Sequence, residues 1–280
     1  MIHYFNPGHE TAVLNASKYY QPPETVAKMQ EDLALLPMWY ASPGDFILVG
    51  NKLINPLEIH SGASNPKQSI VEPWGISPQS IHYFETLNKQ YDLQLQIPEW
   101  KDEYRFLGSR FAAQKALAAL IEAVTEIDKD ILPQFYSNLE AIEKIVEEGR
   151  GGFLLKSPYS SSGRGLLWLS PGKLAQSERQ IIGGMLKKQT LVSLEKALDK
   201  RLDFSMHFEV IREKETRFIG YSVFRTNPKG AYESSSLAAQ ETLEKQITDL
   251  IDRCLLQKVR ETLTGILHEM YTPYYTGNLG

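Results

Sequence analysis

Gly152-Phe153-Leu154-Leu155-Lys156-Ser157-Pro158-Tyr159-Ser160-Ser161-Ser162-Gly163-Arg164-Gly165-Leu166-Leu167-Trp168-Leu169 is the stretch on which the fold turns. Two apolar runs, Phe153–Leu155 and Leu166–Leu169, flank a polar loop of Ser, Gly and Pro. That pattern predicts two paired strands with the loop at the tip of their hairpin. The loop carries the ingredients of an anion site. Glycines let backbone N–H groups approach a ligand closely. Lys156 supplies a cation at a strand end, Ser160, Ser161 and Ser162 supply hydroxyls, and Arg164 stands between Gly163 and Gly165. The pattern is neither G-x-x-x-x-G-K-[ST] nor G-x-G-x-x-G after a strand, so it is neither of the two common nucleotide loops.

Working outward, Ser109–Val124 is an Ala-rich amphipathic helix with Leu117, Leu120, Ile121 and Val124 at helical spacing. Ser137-Asn138-Leu139-Glu140 reads as a capping box opening the next helix, which stops at Gly149. A helix near Lys173–Leu186 follows, then a strand over Leu191–Leu194 leading to Glu195. Asp203–Ile211 alternates, with Met206, Phe208 and Val210 on one face, and Thr216–Phe224 returns after a charged turn at 212–215. A single long helix is expected from about Ala238 to Tyr271, bent or broken near Gly265.

Toward the N-terminus, Ile2–Phe5 and Phe46–Val49 read as strands. Pro23 opens a helical pattern to Leu36, and Ser77-Pro78 opens a second one to about Lys89. Residues 55–78 read as loop-rich. Strands alternating with helices predict a small α/β domain over 1–105. Residues 106–190 then form one lobe with the hairpin, and 191–280 a second. The overall class is α/β together with α+β.

Composition narrows the function. The chain has 280 residues, with 42% hydrophobic and 23% charged, which is globular composition. The net charge of -4 argues against a nucleic-acid binder that works by neutralising phosphates. One cysteine, Cys254, excludes an intrachain disulfide and a Cys-based zinc cluster. It falls on the apolar stripe of the last helix and is expected to be buried. Trp39, Trp74, Trp100 and Trp168 are expected as core or edge aromatics. His268-Glu269-Met270-Tyr271-Thr272 lacks the second His of a zinc motif. Asn6-Pro7-Gly8-His9-Glu10 is expected as a solvated turn after the first strand. No basic segment followed by an apolar run opens the chain, and no run of about 18 apolar residues occurs. A cytoplasmic protein without a membrane partner is the expectation.

The order of these elements resembles the ATP-grasp superfamily of ATP-dependent ligases. A helix with a basic residue near its start precedes a strand ending in Lys and a Gly-rich hairpin. A strand reaching Glu195-Lys196-Ala197-Leu198 then precedes an acidic residue, Asp203, that opens a second hairpin. The resemblance covers about residues 106–280. It implies that Arg110 and Lys156 contact ATP phosphates, with Arg110 where the family usually has Lys and Lys115 as the spare. It implies that Ser160, Ser161, Ser162, Gly163, Arg164 and Gly165 form the hairpin over them. Glu195 and the Ala197 backbone N–H would hold adenine, Asp203 the ribose, and Arg225 the transferring phosphoryl group. The activity implied is activation of a carboxylate as an acylphosphate for attack by an amine or thiol. Ligases of this kind are often homodimers.

The family also implies Mg²⁺, held by carboxylates and an Asn on strands that would follow Gly280. Those metal ligands are not found in this chain, and a truncated module is the expectation. Two other readings stay open: a catalytically inactive nucleotide-binding module, and an unrelated α/β binding protein in which the hairpin is only a loop.

Overall fold

The structure is a computed structural model and describes residues 1–55, 68–160, 163–211 and 215–280. Ser161, Ser162 and residues 212–214, where a charged turn is expected, lie outside the described residues, as do residues 56–67 of the stretch expected to be loop. The chain divides into two compact units, Met1–Arg105 and Phe106–Gly280.

The first unit is an α/β unit. Its strands β1 (Ile2–Tyr4), β2 (Phe46–Val49), β3 (Lys52–Ile54) and β4 (Val71–Pro73) lie in the order β3-β2-β1-β4. β1 runs parallel to β2 and β4, and β3 is an antiparallel edge. Its helices are α1 (His9–Asn15), α2 (Glu24–Asp32) and α3 (Pro78–Tyr91). α3 starts as its sequence demands. Ser77 Oγ accepts from Ser80 N–H at 3.1 Å, and Pro78 occupies the first turn, where no intrahelical donor is needed. Phe84 and Leu87 of α3 pack with Ile2, Tyr4, Phe46, Leu48 and Val71 of the sheet.

The helix opened by Pro23 is shorter than its pattern suggests. It ends at Asp32 and buries no side chain, because α3 supplies the apolar helix of this core. Trp39, expected at a core or edge, is 88% exposed. Asn6 is a buried clamp, not a solvated turn residue. Its Nδ2 donates to Gly75 O at 2.7 Å and its Oδ1 accepts from Gly75 N–H at 3.0 Å.

A short helix α4 (Glu103–Leu107) precedes the second unit's α5 (Arg110–Ala123). This α+β unit holds two antiparallel sheets. The first contains β5 (Gln134–Tyr136), β6 (Phe153–Lys156), β7 (Leu166–Leu169) and β8 (Val192–Lys196), in the order β5-β8-β6-β7. β6 and β7 are the two strands of the quoted stretch, in register from Phe153↔Leu169 to Lys156↔Leu166. β8 belongs to this sheet, so the lobe boundary expected at residue 191 falls inside one hydrogen-bonded layer. Helices α6 (Leu139–Glu148) and α7 (Gln176–Gln189) cover one face, burying Ile142, Val146, Leu155, Ile182, Val192 and Leu194. α6 is capped by Asn138, not Ser137: Asn138 Oδ1 accepts from Ala141 N–H at 2.8 Å, the reach an Asx side chain has to the third helical amide.

The second sheet has β9 (Asp203–Ile211), β10 (Glu215–Thr226), β11 (Tyr232–Ser235) and β12 (Gly277–Leu279), in the order β11-β10-β9-β12. The single C-terminal helix expected from the sequence is two, α8 (Gln240–Thr248) and α9 (Arg253–Tyr271). The break is at Asp249–Asp252, where Asp252 Oδ1 accepts from Leu255 N–H at 3.0 Å and starts a new helix. Gly265 lies unbroken inside α9. Leu243, Ile247 and Leu256 pack on Tyr221 and Val223. Cys254, in the first turn of α9, is exposed and not buried, since the helix presents Leu256 to the core.

Candidate functional site

Lys156 ends β6, and Glu195 stands one strand away near the end of β8. Leu154 is paired with Glu195 and Lys156 with Ser193, so all four side chains lie on one face of the sheet. The other face, with Leu155 and Leu194, is the core. Lys156 and Glu195 therefore meet on the open face as an ion pair, their side chains 22% and 17% exposed.

Arg110 reaches the same place from the start of α5. Ser109 caps that helix, its Oγ accepting from Phe111 N–H at 3.2 Å. The Arg110 Nε donates to Ser157 O at 3.1 Å and its Nη2 to Ser160 Oγ at 3.4 Å. Its backbone N–H donates to Pro158 O at 3.0 Å. Burial draws the Arg110 guanidinium below its ordinary pKa, and the nearby Glu195 charge acts in the opposite direction. Two cations thus face one carboxylate, and among these three groups one positive charge is left over.

The loop after β6 is held from both sides. Ser157 N–H donates to Gly165 O at 2.9 Å, closing the hairpin. Gln189, the last residue of α7, accepts from Tyr159 N–H at 2.9 Å and donates to Tyr159 O at 3.1 Å. Gly163 and Gly165 both have positive φ, +77° and +67°. A Cβ on Gly165 would lie 3.0 Å from Ser157 and Ser160, and a Cβ on Gly163 would lie 2.7 Å from Gly230 O and Ala231 Cα. Only glycine allows both the conformation and this backbone-to-backbone approach. The hairpin thereby rests on the β10–β11 turn, which Asn227 shapes by accepting from the N–H groups of Lys229 (2.9 Å) and Ala231 (3.0 Å). Arg164 lies in the turn between the two glycines.

Asp203 begins β9, opposite Phe224. Its Oδ2 accepts from Lys200 Nζ at 2.6 Å and from Thr226 Oγ1 at 3.0 Å, and Lys200 Nζ also donates to Thr226 Oγ1. Arg225 is not brought to this face. The period of two along β10 puts it on the side of Tyr221 and Val223, and it is exposed. The Ala197 N–H is also engaged elsewhere: it donates to Gly152 O at 2.8 Å and prolongs the sheet.

Arg110, Lys156, Ser160, Gly165 and Glu195 are therefore brought together, with Gly163 at the tip of their hairpin. Asp203 has its own polar group on the second sheet. Ser157, Gln189, Lys200 and Thr226 were missed from sequence. Lys200 and Thr226 become visible only once Asp203 and Phe224 are paired across β9 and β10. Gln189 carries no linear signal at all.

Among the described residues no group of three or more His, Cys, Asp or Glu side chains is placed to hold a metal ion. The nearest carboxylates, Glu195 and Asp203, are each paired with a lysine. The described residues do not fit a protein-held Mg²⁺.

Comparison with solved structures finds several to which this chain is similar. Solved structures similar to this chain include N5-carboxyaminoimidazole synthetase from Staphylococcus aureus in complex with ADP, at 13% identity and TM-score 0.42, covering 69% of this chain and 46% of that one. Biotin carboxylase from Campylobacter jejuni matches at 14% identity and TM-score 0.46, over 72% of this chain and 43% of that one. D-alanyl-alanine synthetase A from Vibrio cholerae matches at 10% identity and TM-score 0.45, over 96% and 79%. The chain spans less than half the length of the first two. No family model and no curated protein matches the sequence. These likenesses assign no residue of the site. Among the described residues no helix is long and apolar enough to cross a membrane.

Proposed function

We propose that this chain binds ATP and belongs to an enzyme that activates a carboxylate as an acylphosphate for attack by an amine or thiol. The observation that carries the reading is the convergence of Arg110 and Lys156 on one open sheet face, beside a loop anchored at every residue from Ser157 to Ser160. Fixed cations next to a rigid polar loop are what a triphosphate requires, since phosphoryl transfer is catalysed by positioning and charge stabilisation.

In this reading Lys156 leaves Glu195 to meet a phosphate oxygen, and Arg110 holds the loop and faces the same charge. Glu195, released, accepts from the adenine amino group, and Ala197 contributes only if its N–H leaves Gly152 O. Asp203, flanked by Lys200 and Thr226, receives the ribose hydroxyls. The substrate carboxylate oxygen attacks the γ-phosphorus and ADP leaves. The amine nitrogen then attacks the acyl carbon, phosphate leaves with the bonding pair, and the amine gives up its proton. Arg225 has no part in this reading because of the face it occupies.

Calorimetric titration with ATP, with and without Mg²⁺, tests this on the wild type and on Lys156→Ala. The wild type is expected to bind and Lys156→Ala to lose about 1.5–3 kcal/mol, the worth of a charged hydrogen-bond partner. Absence of heat under both conditions overturns the proposal. The reading as an inactive nucleotide-binding module is favoured by one observation: both acidic groups of the site are already paired with lysines. It predicts ATP binding without ADP formation when carboxylates and amines are supplied.

A further inference from the structure

A second polar cluster stands on the open face of the second sheet. Ser205 and His207 follow Asp203 at steps of two along β9, so the three share a face, while Phe204 and Met206 pack toward α8 and α9. Ser222 of β10 is paired directly with Ser205. His207 Nε2 lies 3.2 Å from Ser205 Oγ and 3.0 Å from Ser222 Oγ, and the two hydroxyl oxygens are 2.8 Å apart. Every pair in this triangle is within hydrogen-bond distance.

The imidazole is held in place. The Gly280 backbone lies against its Nδ1 side, close enough that a Cβ on Gly280 would be 2.8 Å from Nδ1. Opposite His207 stands Gly220, just past a register slip between Phe218 and Gly220, so no side chain of the paired residue faces the ring. Such bulges re-aim side chains and are frequent beside functional sites. Gln240 secures the strand beside the bulge, accepting from Tyr221 N–H at 2.8 Å and donating to Tyr221 O at 3.0 Å.

Counting hydrogens shows what the triangle offers. A hydroxyl has one hydrogen, and Nε2 has one or none. With Nε2 bare, one serine donates to the other and that one donates to the ring, and no donor is left. With a proton on Nε2, the ring donates to one serine, that serine donates to the other, and the last hydroxyl hydrogen points outward. The protonated triangle is a donor to an external anion.

We infer that Ser205, His207 and Ser222 form the subsite for the substrate's carboxylate. The inference rests on the ligase reading above, which requires a site for such a carboxylate. At about 3.4 Å per residue, Ser205 and His207 stand about 7 and 14 Å along the strand from Asp203.

The test uses the wild-type chain and two probes, acetate and inorganic phosphate. The His207 ring resonances are followed by NMR and identified by their loss in His207→Gln. Acetate is expected to shift them saturably, and Ser205→Ala/Ser222→Ala to weaken that response at least tenfold. A wild-type ring that acetate moves no more than chloride does at equal ionic strength overturns the inference, whether or not the variant folds. Saturation by phosphate and not by acetate overturns it as well, and marks a phosphoryl site. ATP binding is measured on the same wild-type sample. A response to acetate without ATP binding sustains the anion subsite and removes the ligase reading. ATP binding without a response to acetate does the reverse.

Discussion

The side-chain amide of Gln189 makes both hydrogen bonds to the Tyr159 backbone that a neighbouring strand would make, at 2.9 and 3.1 Å. Three other amides do the same: Asn6 on Gly75, Asn88 on Leu95 and Gln240 on Tyr221. Each satisfies the N–H and C=O of one residue in a backbone segment with a single side chain. At Gln189 the segment is the loop between Lys156 and the glycine hairpin. Gln189→Ala leaves a part-buried N–H and C=O without that partner, at a cost of about 1–3 kcal/mol. Limited trypsin digestion is expected to cut after Arg164 faster than in the wild type, with ATP affinity reduced. Unchanged cleavage would mean that Arg110 alone holds the loop.

Arg110→Lys is expected to behave as a loss, not as a conservative change. The guanidinium spans Ser157 O and Ser160 Oγ, and an ammonium cannot reproduce that fork. A drop in ATP affinity comparable to that of Lys156→Ala is the expected result. Retention of full affinity would reduce Arg110 to its charge.

Gly163→Ala places a methyl group at φ +77° and 2.7 Å from the Gly230 carbonyl oxygen. A cost of about 1–3 kcal/mol follows from the strained backbone, and the hairpin must part from the β10–β11 turn. Hydrogen exchange is the direct check: protection of the Ala231 amide, which donates to Asn227 Oδ1, should fall.

Asp45 links acid stability to the first unit. Burial opposes its charge, but the N-terminal ammonium, His3 Nε2 and the Ser42 N–H together bring its pKa from 3.8 down to about 2. A carboxylate lowered in the folded state stabilises above its unfolded pKa and loses that contribution as pH falls through the folded one. Stability is therefore expected to decline between about pH 4 and pH 2. Asp45→Asn should lower the melting temperature at pH 7 and flatten its fall over this window.

Cys254 is exposed in the first turn of α9. A thiol reagent should label it in the native protein without denaturant. Cys254→Ser should change stability by no more than about 0.5 kcal/mol, as for an ordinary surface position.

What could be read from the linear chain was local. Period-two and period-3.6 patterns located the β6–β7 hairpin, α3, α5 and the β9–β10 pair, because alternation and capping act over a few residues. Ser77 with Pro78 announced α3 through groups that touch within one turn. Lys156 and the glycines were conspicuous for the same reason. Where two local signals competed, the nearer hydrogen bond decided: Asn138 displaced Ser137 as a cap, and Asp252 divided the last helix. Which partner a side chain meets was settled only in three dimensions. Glu195 and Lys156 are 39 positions apart and meet because β6 and β8 are neighbours in the sheet. Arg225 lost its expected place to strand alternation, and Cys254 was exposed by the rotation of α9. The Ser205–His207–Ser222 triangle exists only through the register of β9 against β10. The physical reason is range: patterns of hydrophobicity and capping fix elements from neighbouring residues, whereas a site is made by pairing and packing between distant ones.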